Sequence, residues 1–478
     1  MKKLYDLFNI EYRENLGLSG LSDESFSVLA LSWFEKYNKS LLIVTPTLTD
    51  ANNLLNILSC LSENVLFFPM DDFLTSEAIS VSPDLMVTRL ETLNELVNKS
   101  TKIVITHLNG YLRYLPTPEI YKKNILKLKT GMEIEPNTLI EKLYNLGYKR
   151  ETIVTKTGEL GVRGYIIDIF PVSNDHPIRI EFFGDEIESI REFNEENQKK
   201  IQEINEVTIY PYTEFLLDNY ANLIEEERMQ KYLPKYLKNI GNISEYLNNP
   251  ITIVKDLTFL ENNYQKMLDE VISYKENDKN YTGNYMYNLD ILDRKKVIHY
   301  LSVDNLIPNH NLDKLIDFHV KKAPKFHENI DIINTYLKES FSMKKQIILC
   351  LKDYQVKSFT KYLNLNYLLT DINNLSDDLI NIVNFDLSEG FIYQNTIILT
   401  SFDLFNIRKL PKKYKTKFKY AVKIKDLNSL NVGDYVVHSI NGIGIYNGIK
   451  TLNVGDLKKD YLEILYKDDD SYIFQLKR

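Results

Sequence analysis

Short apolar runs alternate with helical spacing over residues 41–106. Leu41-Leu42-Ile43-Val44-Thr45 reads as a buried strand, and Ala51, Leu54, Leu55 and Leu58 recur at the spacing of one helix face. Val65-Leu66-Phe67-Phe68 predicts a second strand. Ser82-Pro83 predicts a helix cap and first turn, with Leu90, Leu93 and Val97 as the buried stripe, and Ile103-Val104-Ile105 supplies a third strand. This βαβαβ order predicts a parallel sheet covered by helices. From about 148 to 210 the period shortens to two, with strands at Tyr165 to Phe170 and Ile178 to Phe183 around a polar loop from Pro171 to Pro177, which predicts a small β-rich insert. Residues 212–340 read as mostly helical and polar. Residues 345–405 return to α/β, with Ile347-Ile348-Leu349 and Ile397-Ile398-Leu399 as strands. Residues 429–478 alternate over short strands punctuated by Gly433, Gly442, Gly444, Gly448 and Gly455, a pattern that suits a small barrel.

A chain of 478 residues is too long for one core, and 44% hydrophobic residues is ordinary globular composition, so several domains are expected. Asp6, Glu11 and Glu14 interrupt the place of a signal peptide, and no later apolar run reaches membrane-spanning length, so a cytoplasmic protein without membrane contact is expected. Cys60 and Cys350 are far apart and the 7 histidines lack ligand spacing, which removes disulfide, metal and redox cofactor chemistry from the expectations. The net charge of -8 argues against a surface built to wrap nucleic acid. One run departs from that balance: from Arg408 to Lys425 there are nine basic and no acidic residues, among them Arg408, Lys409, Lys412 and Lys413. A solvated linker is favoured there over a DNA-contacting strip.

Gly17-Leu18-Ser19-Gly20-Leu21-Ser22-Asp23-Glu24 stands just before the first βα unit, where a phosphate-cradling loop would lie. Such a loop places glycine, lysine and a hydroxyl at its sixth to eighth positions, because phosphate and magnesium need backbone N–H groups, an ammonium and a hydroxyl. Here those positions hold Ser22, Asp23 and Glu24, and two carboxylates would repel a triphosphate. A helix N-terminus capped by Ser22 or Asp23, with Glu24 in the first turn, explains the residues better. Farther on, alternation along Ile178-Arg179-Ile180-Glu181-Phe182-Phe183 puts Ile178, Ile180 and Phe182 on the core face. It leaves Phe183 beside Arg179 and Glu181 on the other face, either covered by a neighbour or exposed as an interface anchor. His438 reads as a strand residue rather than a catalyst, and Gly442-x-Gly444 lacks the helix that a dinucleotide fingerprint requires, so tight barrel turns account for it better.

Gly147-Tyr148-Lys149-Arg150, Gly158-Glu159, the run from Arg163 to Pro171 and the run from Arg179 to Arg191 resemble the UvrB-like module of the bacterial transcription-repair coupling factors. UvrB shares much of this signature but keeps a working phosphate loop. The runs Val432 to His438, Asn441 to Ile449 and Lys459 to Tyr466 resemble the RNA-polymerase-interacting domain common to the coupling factors and CarD-type regulators, and weaker similarity reaches Ser388-Glu389-Gly390-Phe391 and Leu404-Phe405. The resemblance implies a multidomain α/β fold: a UvrB-like α/β domain at 1–115, a β-rich UvrA-binding domain at 116–211, a mostly helical remainder at 212–340, a small α/β domain at 341–407, the basic linker at 408–428, and a Tudor/SH3-like barrel at 429–478. It implies UvrA contact through Arg163, Arg179 and Phe183, with truncation of Arg179 or Phe183 costing binding but little fold stability. It also implies RNA polymerase β-subunit contact through an exposed strand edge near Ile449 and Leu452, Leu452 being equally open to a core role.

The resemblance runs to Ser471-Tyr472-Ile473-Phe474-Gln475-Leu476-Lys477-Arg478, where the family would continue into an ATP-driven motor, so a fragment or truncated product is expected. The expected function is a non-catalytic, cofactor-free platform joining stalled RNA polymerase to UvrA in transcription-coupled nucleotide excision repair, with DNA reached through the motor or the basic linker. The competing readings are a CarD-type transcription regulator and a UvrB-type repair NTPase.

Overall fold

A computed structural model describes residues 3–71, 83–98, 100–218, 220–223, 228–277, 283–303, 307–308, 311–407, 432–438, 442–454, 457–465 and 471–475. The chain divides into two compact units, residues 1–418 and 419–478. Ser82 and the basic run Arg408 to Lys425 lie outside the described residues.

The first unit is built on a seven-stranded sheet ordered Lys314–Asp317, Leu16–Ser19, Ile298–Tyr300, Ile251–Lys255, Leu41–Thr45, Ile103–His107 and Val65–Phe68. Every pair in it is parallel. Such a sheet needs cover on both faces, and side-chain alternation divides the work. Leu42, Val44, Leu66, Phe68 and Val104 pack with Val87, Leu90 and Leu93 of helix Pro83–Leu96 and with Leu257 and Leu260 of helix Leu257–Asn277. Leu41, Ile43, Val65, Phe67 and Ile105 face the other way, onto helices Asp23–Tyr37 and Leu48–Leu61. The βαβαβ expectation for 41–106 is met in this arrangement.

Residues 212–340 differ from the mostly helical expectation. They hold the 21-residue helix Leu257–Asn277, but they also return three strands, Ile251–Lys255, Ile298–Tyr300 and Lys314–Asp317, to the first sheet. The physical reason is that Leu16–Ser19 has no partner near it in sequence: Ile298–Tyr300 and Lys314–Asp317 flank it on either side.

Between the two visits to the sheet the chain runs out through a narrow neck. Leu115–Pro116 pairs with Ile240–Gly241, and farther out Leu126–Lys129 pairs antiparallel with Glu206–Ile209. Beyond it lies a six-stranded sheet ordered Lys200–Ile204, Glu186–Phe193, Ile178–Phe183, Ile166–Ile169, Glu159–Arg163 and Lys149–Arg150. It is antiparallel except for its last pair. Its inner face, Leu160, Ile167, Ile169, Ile178, Ile180, Phe182, Ile187 and Ile190, packs with Leu139 and Leu143 of helix Pro136–Asn145. This is the β-rich insert expected from the period-two pattern.

A third sheet, ordered Lys321–Lys322, Phe391–Tyr393, Thr396–Thr400, Gln346–Cys350, Ile380–Val383 and Tyr367–Thr370, starts before residue 341. Phe391 and Tyr393 share a buried cluster with Phe8 and Phe318, so this layer is packed into the same unit. In the second unit Tyr435–His438, Gly442–Val454, Leu457–Leu465 and Ser471–Gln475 pair in sequence as a four-stranded antiparallel sheet. Gly442 and Gly444 are strand residues opposite His438 and Val436, not turns. Gly448, at φ +102°, sits where the register shifts after Tyr446.

Candidate protein-interaction site

Strand Ile178–Phe183 sorts its side chains as alternation requires: Ile178, Ile180 and Phe182 are buried, and Phe183 is 77% exposed. The two polar residues on the Phe183 face are not free. Arg179 donates from Nε and Nη2 to the two Asp168 carboxylate oxygens at 2.6 and 2.7 Å, and its guanidinium lies 4.7 Å from the centre of the Phe193 ring. Glu181 accepts from Ser189 Oγ at 2.8 Å and pairs with Arg191 at 2.5 Å. Asp168 is directly across the ladder from Arg179 and its side chain is only 2% exposed, so this pair closes a partly buried surface. Hydrogen bonding to Asp168 is what holds the Arg179 pKa above its ordinary value. Of the three residues singled out by resemblance, Phe183 and Arg163 are exposed, and Arg163 Nη2 donates to the Thr152 carbonyl at 3.1 Å. Arg179 is paired within the chain, a contact that the expectation of little fold stability at stake in its truncation did not include. Asp168 and Phe193 could have been sought at cross-strand positions, since Asp168 lies eleven residues before Arg179 on the adjoining strand.

At Gly17 to Glu24 the chain bonds to its own neighbouring segments. Ser22 caps helix Asp23–Tyr37 in a reciprocal box with Ser25, as the sequence led us to expect. Gly20 turns at φ +68°, and a Cβ there would lie 2.7 Å from the His319 backbone nitrogen. Asp23 points toward the carboxyl ends of the strands, where open α/β sheets hold their ligands. Its two carboxylate oxygens each accept from Lys255 Nζ at 3.0 Å, and one accepts from Tyr300 Oη at 2.8 Å. Lys255 is 5% exposed. Glu24 accepts from Ser388 Oγ at 3.2 Å. Burial raises the Glu24 pKa, with Glu389 adding to the effect against hydrogen bonds that lower it.

Where the insert rejoins the first sheet, Glu214 is held by two arginines. Arg89 donates from Nε and Nη2 at 2.7 and 3.2 Å, and Arg113 donates from Nε at 2.8 Å. The three side chains are 2%, 1% and 6% exposed in the order Glu214, Arg89, Arg113. Burial pushes the Glu214 carboxyl up, but Arg113 and Arg89 outweigh it and its pKa lies below the usual carboxylate range. Nothing in the sequence joined these residues, which are 125 and 101 positions apart.

In the second unit Ile449 is 50% exposed and Tyr435 77% exposed. Leu452 falls in strand Gly442–Val454 opposite Lys459, and its side chain is outside the described residues. Among the described residues no group of histidines, cysteines and carboxylates could hold a metal, and no helix is long and apolar enough to cross a membrane.

The insert is thus carried on a parallel sheet by a two-stranded neck, with the exposed Phe183 at a strand end. The family model described as UvrB interaction domain matches residues 126–215, and that of the CarD-like/TRCF RID domain matches residues 430–474. Over nearly all of its length the chain is similar to transcription-repair-coupling factors. It is 28% identical to the transcription-repair-coupling factor of Staphylococcus epidermidis over 98% of its own length, and 27% identical to that of Bacillus subtilis over 95%. It spans 45% and 43% of those two relatives.

Proposed function

We propose that this chain is a docking platform that joins RNA polymerase to UvrA in transcription-coupled nucleotide excision repair, and that it performs no ATP-driven step itself. The observation that carries the reading is the exposed Phe183 at the end of the insert strand, inside the region that matches an interaction domain. Arg163 offers a planar donor to a partner carboxylate, and burying the Phe183 ring would contribute about 2 kcal/mol. Arg179 supports the site from within by holding Asp168 and the adjoining strand. The second unit, which we take to belong to a small Tudor/SH3-like barrel, would meet the RNA polymerase β subunit through the strand carrying Ile449 and Leu452. An open strand gives affinity by main-chain pairing and specificity by alternate side chains.

The reading as a UvrB-type NTPase is disfavoured by Asp23, a carboxylate at the phosphate-loop position that already pairs with Lys255. A CarD-type regulator would have no use for the insert. The basic run at 408–428 remains a proposed DNA contact or linker. Purified UvrA and purified β subunit, titrated separately into the chain by calorimetry, test the proposal. Both should bind, Phe183→Ala should weaken UvrA alone, and Ile449→Ser should weaken the β subunit alone. Loss of neither interaction in these variants, or no binding by the wild type, would defeat it.

A further inference from the structure

The end of the insert sheet that bears Phe183 presents more apolar surface than one ring. The strands Glu159–Arg163 and Ile166–Ile169 are joined by a turn at Gly164 and Tyr165, and Ile178–Phe183 and Glu186–Phe193 by a turn at Gly184 and Asp185. These tips lie side by side, because the Tyr165 carbonyl accepts the Phe182 N–H at 2.9 Å. Tyr165 is 66% exposed beside Phe183 at 77%. A Cβ added at Gly164 or Gly184 would meet nothing within 4 Å, so both glycines face open space, while the Asp185 carbonyl next to Gly184 accepts the Ile134 N–H at 2.8 Å. A third apolar side chain is delivered by the segment between strands Lys149–Arg150 and Glu159–Arg163. The Glu151 N–H bonds to the Leu160 carbonyl at 2.9 Å, the Thr152 carbonyl receives Arg163, and Ile153 follows at 52% exposure.

Turn tips ordinarily carry glycine, asparagine, aspartate or serine, whose backbone and side-chain chemistry suits the turn. Gly164 and Gly184 already supply the positive φ these two turns need, at +60° and +64°. Tyr165 therefore adds nothing to turn geometry, and with most of its ring in solvent it adds little to the core. Aromatic residues and arginine are enriched at the centres of protein interfaces.

We propose that Tyr165 is a second aromatic anchor of the docking tip, with Ile153 completing its apolar rim. The partner surface it fits is an apolar cleft wide enough for two rings, edged by a carboxylate that meets Arg163. The occupant is UvrA, because the tip is continuous with Phe183 and lies within the matched interaction domain. This inference rests on the reading of the insert as a UvrA-docking domain. Arg163 rather than Arg179 is the cation available to the partner, since Nε and Nη2 of Arg179 are held by Asp168.

The test measures UvrA affinity by calorimetry for the full chain and for Tyr165→Ala, Tyr165→Phe, Ile153→Ser and Phe183→Ala, with Tyr354→Ala as a control at a 71% exposed ring on the third sheet's helix Asp353–Phe359. Tyr165→Ala should raise Kd roughly tenfold to a hundredfold, as hot-spot truncation does. Tyr165→Phe should stay within about threefold of the wild type, since ring area and not the hydroxyl is used. Ile153→Ser should fall between them and the control should not change. Circular dichroism melts should show every variant folded, because none of these side chains is buried. Wild-type affinity in Tyr165→Ala together with weakened Phe183→Ala overturns this inference and leaves the docking reading standing. Absence of wild-type binding overturns both. A concentration-dependent dimer in sedimentation, dissolved by Tyr165→Ala, would make a second copy the occupant and also overturn the proposal.

Discussion

Replacing Glu214 with alanine should destabilise the first unit more than any surface change, because it strands two buried cations at once. Arg89 and Arg113 both donate to this carboxylate, at 2.7 to 3.2 Å, and neither guanidinium is more than 6% exposed. Removing one partner of a buried ion pair typically costs about 3–5 kcal/mol, since the remaining charge keeps its desolvation penalty. With two arginines sharing the acid, a loss of about 5 kcal/mol is expected, against a total stability of roughly 5–15 kcal/mol for a folded domain. Urea unfolding of the wild type, Glu214→Ala and Glu214→Gln at neutral pH, followed by circular dichroism, measures it. The triple change Arg89→Met, Arg113→Met, Glu214→Leu should recover much of the loss, because apolar residues of similar volume remove the stranded charge. The pH dependence has a definite sign. The Glu214 pKa is depressed on folding, so its stabilisation is complete above the unfolded carboxyl value near ~4.3 and disappears as pH falls through the lower folded value. A Glu214→Ala variant within about 1 kcal/mol of the wild type would refute the claim that this triad is an interdependent charge cluster.

Arg179→Ala should lose about 3 kcal/mol of stability by leaving the Asp168 carboxylate nearly buried and unpaired, and Asp168→Ala added to it should restore most of that loss in the same melts. Asp23→Ala should likewise lower stability, by about 3 kcal/mol, through Lys255, while an ATPase assay with DNA present stays at background. Glu24→Gln should stabilise the unit at neutral pH: the folded Glu24 pKa is raised, so its favourable contribution exists below the unfolded carboxyl range and is lost as pH rises through the folded value. Melting temperatures of wild type and Glu24→Gln, compared from weakly acidic to neutral pH, should converge toward low pH.

Periodicity carried the parts of the fold whose partners lie close in sequence. Leu41–Thr45, Val65–Phe68 and Ile103–His107 are short, mainly apolar runs, the last pairing with both others, and Ile178–Phe183 alternates cleanly between two faces. The strands at Ile298–Tyr300 and Lys314–Asp317 escaped it because they are three and four residues long, contain His299 and Lys314, and both pair with Leu16–Ser19 from the other end of the unit. The candidate site divides in the same way. Alternation marks Phe183 as facing away from the core, but the fate of Arg179 depends on Asp168 across the ladder and on Phe193 beneath it. The cap at Ser22 was legible from local chemistry, whereas the ion pair of Asp23 with Lys255 spans 232 positions and leaves no local trace.

The neck also fixes how the insert bears a load. Both backbone strands of the outer ladder, Leu126–Lys129 and Glu206–Ile209, run between the base and the insert, with Leu126 opposite Ile209 and Lys129 opposite Glu206. A pull on the docking tip therefore stretches two covalent chains side by side, and their cross-hydrogen bonds lie transverse to the tension instead of opening one by one. At the base the returning chain meets Glu214 within five residues of Ile209, bolted to Arg89 and Arg113. Any tension between the insert and the parallel sheet is consequently shared by two chains rather than carried by one.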